Sequence, residues 1–327
     1  MKIVFCAVLV CLFAACASDN NPSSVAEKQK IKALLVDGQN NHKVWPKSTV
    51  MLKQYLEESG LFEVDVYRST LMWRGEDHPV YLALHSDHRH THVENPVADP
   101  NFAPNFSDYD VVISNFGYNS GDWPETARRS FEDFMINGGG FVAVHSANNS
   151  FPTWDEYNRM VGLSGWGERT EKHGPYIYFT DEGEMIRDMT PGPAGQHGPT
   201  HEFQVMKRNA HPIIDGLPDL WLHSRDECYA KLRGPAENMT VITSAYCSLS
   251  EGGTGQHEPS MMVIDYGQGR VFNTNLGHDD YSFESVGFIT TFIRGAEWAA
   301  TGAVTFPMPA DFPTATESSV RAFVLAE

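Results

Sequence analysis

Apolar and polar positions along the first half of the chain follow two periods, one typical of strands and one typical of helices. Residues 31–38 (IKALLVDG) form a short apolar run that ends at a glycine. Residues 108–115 and the run FVAVHS are further short apolar runs, each of which ends in polar residues. Apolar residues at helical spacing, such as Leu52 and Leu56, lie between the strands. The predicted order is strand 31–38, helix 46–60, strand 62–67, strand 108–115, helix 122–137 and strand 141–146.

The second half of the chain is richer in strands. Its strand-like runs are YIYFT, HEFQVM, ECYAKL, MTVITSAY and SMMVIDY, with few helical stretches between them. Residues 269–277 are the last predicted strand, and residues 282–301 form a final helix that Gly302 caps. The pattern predicts an α/β fold: a mostly parallel sheet with helices on both faces, and an added antiparallel β region in the second half.

Two further features concern the first half. Asp122 and Glu125 resemble a capping box, with Pro124 suited to the first turn of the helix that follows. Residues 71–108 are rich in His, Pro, Asp and Asn and show little periodicity. We interpret them as a long surface excursion from one folded domain.

The N-terminal residues predict export. Lys2 precedes an apolar run from Ile3 to Ala15, which is too short to span a bilayer but suits a signal-peptide core. The sequence LFAAC resembles a lipobox, which would make Cys16 the lipidated first residue of a membrane-anchored protein of the periplasm or cell surface; cleavage after Ala17 is the alternative. The predicted organisation is signal peptide 1–16, flexible tether 17–30, α/β domain 31–309 and C-terminal tail 310–327.

Charge and cysteine content narrow the class of protein. The net charge of -18, from 42 acidic and 24 basic side chains, argues against a nucleic-acid partner, since a polyanion needs a basic surface. Three of the five cysteines lie in the signal segment, which leaves Cys228 and Cys247. Export permits a disulfide between them, but two buried thiols fit the sequence equally well. No CxxC spacing exists, so a structural zinc site is not expected.

Polar turns with histidine follow three of the predicted strands. Asn41 and His42 follow the first strand, His145 and Ser146 follow the central one, and His278 follows the last. Because ligands bind beyond the carboxyl ends of parallel strands, we expect these side chains to form one site.

The second half adds candidate partners for that site. Asp226 and Glu227 lie in HSRDECY, where a carboxylate among histidines can act as an acid or base, although a surface salt bridge is an equal alternative. His201 in HGPTHEF (with His197) and His257 in GTGQHEP are candidates to bind hydroxyl groups or complete a metal site. The histidine-rich run 85–92 also suits metal binding, and a metal-scavenging protein is the weakest interpretation.

Several long motifs resemble a known family, the ThuA-like (trehalose utilisation) family, from about Ile31 to about Pro309. They are DGQNNH, DWPETARRSFEDFMINGGGFVAVHSANN, GLSGWGERTEKHGPY, RDECYAKLRGPAENMTV, GTGQHEP, DYGQGRVFNTNLGHDD and GFITTFIRGAEWAATG. The resemblance implies a flavodoxin-like sheet related to class I glutamine amidotransferases. It places His145 where those enzymes have a nucleophilic Cys and His278 where they have the triad His. Since imidazole does not replace a thiolate in forming a glutaminyl thioester, no amidotransferase activity is expected.

The same resemblance implies a role in the use of trehalose and related disaccharides through 3-keto sugars, which a partner sugar oxidoreductase would supply. We expect hydrolysis or elimination of such a glycoside, with His145, His278, Asp226 and Glu227 as catalytic residues. Asn41, His42, Ser146, His201 and His257 would bind the substrate. A divalent metal ion is a candidate cofactor, and no nucleotide is expected. The alternative is a non-catalytic carbohydrate-binding surface lipoprotein.

Overall fold

A computed structural model describes Met1, residues 29–85 and residues 90–326. The predicted signal segment from residue 2, including Cys16, and the tether up to residue 28 lie outside the described residues, as does part of the histidine-rich run, 86–89. Among the described residues, no helix has the length and apolar character needed to cross a bilayer.

Six parallel strands form one half of a single sheet, in the order β3-β2-β1-β4-β5-β12. Successive side chains of a strand point to opposite faces, so Leu34 and Leu35 of β1 enter two different hydrophobic cores. These strands are β1 (Ile31–Gln39), β2 (Phe62–Trp73), β3 (Thr91–Val93), β4 (Val111–Ser114), β5 (Gly140–Val144) and β12 (Gly269–Thr274).

Helices cover both faces of the parallel half. α1 (Trp45–Glu58) and α6 (Val286–Thr301) pack on one face through residues such as Leu52 and Phe292. α3 (Glu125–Ile136) and α4 (Asp155–Val161) pack on the other through residues such as Phe131 and Tyr157. Two further helices, α2 (Pro79–Ala83) and α5 (Asp280–Phe283), are short.

The other half of the sheet is antiparallel and continues from β12 in the order β12-β11-β10-β8-β9, with β6 paired to β11 and β7 to β6. The predicted fold class is therefore confirmed, and the antiparallel strands lie at the sheet edge. These strands are β6 (Tyr176–Phe179), β7 (Met185–Asp188), β8 (His201–Lys207), β9 (Leu220–Asp226), β10 (Met239–Cys247) and β11 (Gln256–Tyr266).

Three local predictions differ from the structure. The capping box at Asp122 is wrong, because α3 has Pro124 as its N-cap and no side chain caps it. The run ECYAKL is not a strand, since β9 ends at Asp226 and the chain then continues as irregular backbone tied by Ala230 to Gln196. The segment 71–108 is not only a surface excursion, because β2 extends to Trp73, β3 joins the sheet, and Phe102 and Phe106 are buried in the core. The cap at Gly302 is confirmed by its left-handed conformation, with φ 76°.

A disulfide joins Cys228 and Cys247, with Cα atoms 5.6 Å apart. It decides the question that the sequence leaves open. Cys228 directly follows Glu227, and Cys247 ends β10, so the bond fixes the segment after β9 to a neighbouring strand. The cross-link stabilises the fold because it lowers the conformational entropy of the unfolded chain.

Glu258 anchors the same segment from β11. Its side chain is 1% exposed and accepts hydrogen bonds from the hydroxyl groups of Tyr176 and Thr254 and from the backbone N–H of Lys231. Burial raises the pKa of Glu258 to about 7, against an ordinary value of 4.5, and the three donors only partly oppose that shift.

The raised pKa predicts a pH-dependent stability. The folded state binds more protons than the unfolded state between about pH 4.5 and pH 7, so the contribution of Glu258 is present below this window and lost as pH rises through it. We expect Glu258→Gln to flatten the pH dependence of the free energy of unfolding between pH 5 and 8, by at most about 3 kcal/mol. Urea titrations at several pH values measure this, with the exposed Glu237→Gln as control. An unchanged pH dependence in Glu258→Gln would contradict the assignment.

Candidate functional site

His145 stands directly at the end of β5, on a sharp turn. Its φ of +48° is in the left-handed region, which costs energy for any residue other than glycine and is frequent at functional sites. The side chain is 2% exposed. Nδ1 lies 2.7 Å from the carbonyl oxygen of Asn275 and therefore donates to it, which leaves the lone pair on Nε2 to accept from the hydroxyl of Tyr229 at 2.9 Å.

His42 follows β1 and is held by its neighbours. Its Nδ1 lies 3.2 Å from both Asn40 Oδ1 and Ser146 Oγ, and its Nε2 lies 3.2 Å from the Asn41 amide nitrogen. Burial, followed by repulsion from the nearby imidazoles of His145 and His278, holds the pKa of His42 well below its usual value. The ring is therefore a neutral group with a lone pair at neutral pH.

His278 comes from the loop after β12. Its Nδ1 lies 3.1 Å from Glu227 Oε2, and its side chain is 21% exposed, so solvent reaches the site from this side. Burial alone would lower the pKa of His278, but the nearby negative charge of the Glu227 carboxylate outweighs burial and raises it.

Glu227 faces three imidazoles. Its carboxylate oxygens lie 3.1 Å from His278 Nδ1, 3.3 Å from His197 Nδ1 and 3.6 Å from His145 Nε2. Although burial opposes ionisation, the interactions with His145 and His278 hold the pKa of Glu227 well below its usual range. The carboxylate is therefore ionised in a largely buried position.

Asp226 is fully buried, and its carboxylate oxygens accept hydrogen bonds from four donors. It accepts hydrogen bonds from His223 Nε2 at 2.8 Å, from the backbone N–H groups of Gly277 and His278 at 2.8 and 3.1 Å, and from that of Glu227 at 2.8 Å. The His223 bond is the main influence that opposes burial and lowers the pKa of Asp226. This arrangement positions two other site residues rather than presenting a free carboxylate to a ligand.

The structure thus brings four of the predicted site residues together: His42, His145, Glu227 and His278, which we call the histidine–glutamate cluster. One nitrogen or oxygen atom from each lies within 4.8 Å of all the others. Asn41 and Ser146 contact His42 at its edge.

His201 and His257 lie outside the histidine–glutamate cluster. Nδ1 of His201 lies 2.9 Å from the carbonyl oxygen of Pro199, and its ring packs on Phe203. Nε2 of His257 lies 3.4 Å from Asp181. Neither side chain is among the four that converge, although His201 pairs with Asp226 across β8 and β9 and so lies beside the cluster; their contact with substrate stays a prediction.

Three aromatic side chains at the site were not among the predicted site residues. Tyr229 contacts His145, His197 contacts Glu227, and the half-buried Trp166 lies 4.9 Å from the Tyr229 ring and 5.7 Å from the His197 ring, between centroids. The sequence carried a signal for His197, in HGPTHEF, and for Trp166, one of four tryptophans that flank the candidate loops and could stack on a sugar ring, whereas Tyr229 resembles a core strand residue. The other three tryptophans near these loops, Trp123, Trp154 and Trp221, are buried in the cores.

A separate cavity of about 370 Å³ lies between α1, α6 and the C-terminal segment. Its lining includes Tyr55, Ile289 and Phe323, and it contains none of the four cluster residues. The ionisable groups converge elsewhere, at the carboxyl edge of the parallel strands, where the histidine–glutamate cluster lies.

The chain resembles known proteins over most of its length. The sequence model of a family described as "ThuA: Trehalose utilisation" matches residues 32–299. A ThuA-like protein of Parabacteroides merdae, solved by crystallography, is 38% identical, with a TM-score of 0.78 over 90% of this chain and 98% of that chain. A second, from Bacteroides uniformis, is 15% identical with a TM-score of 0.54 over 88% and 99%, and it shows likeness of fold alone. No curated protein matches this chain.

The hydrogen bonds of Asp226 predict that an isosteric substitution at this position strongly lowers the stability of the fold. Asp226→Asn replaces one accepting oxygen by an NH2 group that faces donors, so we expect the free energy of unfolding to fall by about 3 kcal/mol. Denaturant titration measures this. Asp219→Asn, whose side chain is 98% exposed on the same strand region, is the matched control and is expected to change stability by less than about 0.5 kcal/mol. Equal stability of the two variants would refute the positioning role.

Proposed function

The chain belongs to the ThuA (trehalose utilisation) family, and on that premise we propose that it is an exported enzyme that cleaves or transforms oxidised (3-keto) glycosides. The observation that carries the proposal is the histidine–glutamate cluster, in which three imidazoles and an ionised carboxylate meet at the carboxyl edge of the parallel strands. The partial exposure of His278 gives this cluster access to a ligand.

The sharp turn after β5, which carries His145, favours proton transfer over covalent catalysis. An amidotransferase requires a thiolate at this position, and this chain has His145 there. Within the described residues both cysteines are joined in the disulfide, so no thiol faces the histidine–glutamate cluster. Imidazole groups suit the movement of protons near neutral pH.

A 3-keto glycoside presents a bond that such a site can break. The ketone at C3 acidifies the C2–H bond, so a base can take that proton while the electron pair moves to the keto oxygen. The enediolate then expels the glycosidic oxygen from C1, which leaves with its electron pair and takes up a proton. The products are a free alcohol or sugar and an unsaturated keto sugar, to which water can add. The reaction needs one base and one group that stabilises the oxyanion.

The proposed roles follow from position. We assign binding of the keto oxygen to the histidine–glutamate cluster. His197 lies at the edge of the cluster, and its side chain is 38% exposed. Its Nδ1 donates to the Gly198 carbonyl oxygen at 2.9 Å, which leaves a lone pair on Nε2. We assign to that nitrogen the role of the base that takes the C2 proton. The ring of Trp166 beside His197 offers an apolar face to a sugar ring. Asp226 acts by positioning Glu227 and His278.

A sugar oxidoreductase that oxidises the C3 hydroxyl would be the functional partner, since the proposed substrate must be made by such a reaction. The alternative function, a carbohydrate-binding surface lipoprotein, would use the same site to bind a sugar but would transfer no proton. Turnover therefore separates the two functions.

The proposed activity predicts a specific substrate dependence. The protein should release free sugar from 3-keto-trehalose but not from trehalose, whose C2–H bond is not acidified. His145→Ala and Glu227→Gln are each expected to lower kcat/KM by at least about 100-fold, because His145 lies at the proposed position of the keto oxygen and Glu227 holds His278 beside it. Product release measured by chromatography tests this.

The matched control is His173→Gln, an exposed histidine of the short 3-10 helix Glu171–His173 outside the histidine–glutamate cluster, which should retain full activity. Tight binding of 3-keto-trehalose without product would support the binding lipoprotein and reject the enzyme.

We also propose that the protein is lipid-anchored through Cys16. The apolar run Ile3–Ala15 before Cys16 supports this, and so does the Cys228–Cys247 disulfide, because disulfides are rare in reducing compartments.

The anchor predicts covalent lipid on a single residue. In bacterial cells fed labelled palmitate, the wild-type chain should carry the label and Cys16→Ser should not, while Cys11→Ser should retain it. A mature, unlabelled wild-type chain that begins at Ser18 would indicate the alternative cleavage after Ala17.

A further inference from the structure

We propose that His42, His145, Glu227 and His278 together bind one divalent transition-metal ion. The inference deepens the proposed function, since it concerns the same site, but metal binding is measurable without any substrate. The first support is distance: one ligand atom from each residue lies within 4.8 Å of the other three. Ligands bound to one ion at about 2.0–2.2 Å are separated by at most about 4.4 Å, so a small inward shift of these side chains would seat an ion.

The second support is the orientation of the rings. Histidine ligands of metals typically donate their other N–H to a carbonyl or carboxylate, which directs the lone pair at the ion. His145 does so at Nδ1, which is bonded to the Asn275 carbonyl oxygen; its Nε2 lone pair accepts from the Tyr229 hydroxyl, a bond that an ion would replace. His42 is anchored through Nδ1 by Asn40 and Ser146, and an ion bound at its Nε2 would replace the contact with the Asn41 amide.

The third support is the lack of conventional partners among the described residues. The Glu227 carboxylate has three imidazole nitrogens within 3.6 Å, yet it accepts no aligned hydrogen bond from any of them. Nδ1 of His278 likewise has no aligned hydrogen bond, although it is buried and lies 3.1 Å from Glu227. Close approach without mutual hydrogen bonds is expected of side chains that share one metal ion as ligands.

Charge balance favours a cation at that point. Asp226 and Glu227 are adjacent buried carboxylates, and within the described residues neither forms an ion pair with Lys or Arg. Buried charges require compensation, which a dication would provide. The proposed reaction adds a further reason, because the negative charge of Glu227 would repel an enediolate, whereas a bound dication would stabilise its oxygen.

The donor set selects the kind of ion. Imidazole suits Zn²⁺, Fe²⁺, Ni²⁺ and Cu²⁺, whereas Ca²⁺ and Mg²⁺ prefer sites made of oxygen ligands. Three histidines and one carboxylate therefore point to a transition metal. Four protein ligands leave room for a further ligand on the exposed side of His278, where the keto oxygen would bind.

The experiment uses the full chain, purified without a histidine tag, stripped with a chelator and titrated with Zn²⁺ or Co²⁺. We expect one ion per chain by elemental analysis and a Co²⁺ absorption spectrum typical of a protein site. Glu227→Gln and His278→Ala should each weaken Zn²⁺ affinity by at least about 10-fold, while His173→Gln should bind as the wild type does.

A second control removes the histidine-rich run, with His85, His88, His90 and His92 replaced by Ala. One equivalent of metal retained in this variant supports the histidine–glutamate cluster, and loss of that metal would overturn the inference. Unchanged affinity in folded Glu227→Gln and His278→Ala, with folding checked by circular dichroism, would also overturn it. Metal binding without turnover of 3-keto-trehalose rejects only the proposed function, whereas full turnover by a protein that takes up no metal in the titration rejects only the metal site.

Discussion

The buried carboxylate of Asp226 is the interaction on which the site depends. It accepts two backbone N–H groups from the loop after β12, one from Glu227, and the ring N–H of His223. These donors come from two strand ends about fifty residues apart in the sequence. Because a buried carboxylate is stable only when it is well supplied with donors, the two loops are held in one arrangement. His278 and Glu227 thereby meet at 3.1 Å.

The two halves of the sheet contribute different chemistry. The parallel half supplies His42, His145 and His278 from the carboxyl ends of β1, β5 and β12, where all three turns lie at one edge. The antiparallel half supplies the acidic Glu227 and the hydroxyl of Tyr229 from the segment after β9. That segment is fixed on its far side by the Cys228–Cys247 disulfide and by Glu258. The added strands therefore complete the site as well as extend the sheet.

The elbow after β5 keeps its strained geometry although it holds no thiol. His145 remains in the left-handed region and is fully engaged, with one ring nitrogen bonded to a carbonyl and the other to Tyr229. Strain of this kind persists only where surrounding contacts maintain it. A titratable imidazole held in that position suits the proposed proton transfer and metal binding.

The sequence by itself determined the α/β class and the three histidine-bearing strand ends. Both follow from local periods of apolar residues, and parallel strands bring their carboxyl ends to one edge whatever the details of packing. The tertiary structure alone decided which carboxylate is available, since Asp226 and Glu227 are neighbours in sequence but point to different partners. It also separated His201 and His257 from the histidine–glutamate cluster, paired the cysteines, and added Tyr229, His197 and Trp166. These outcomes depend on strand register and on where β9 ends, which are set by contacts between residues far apart in the chain.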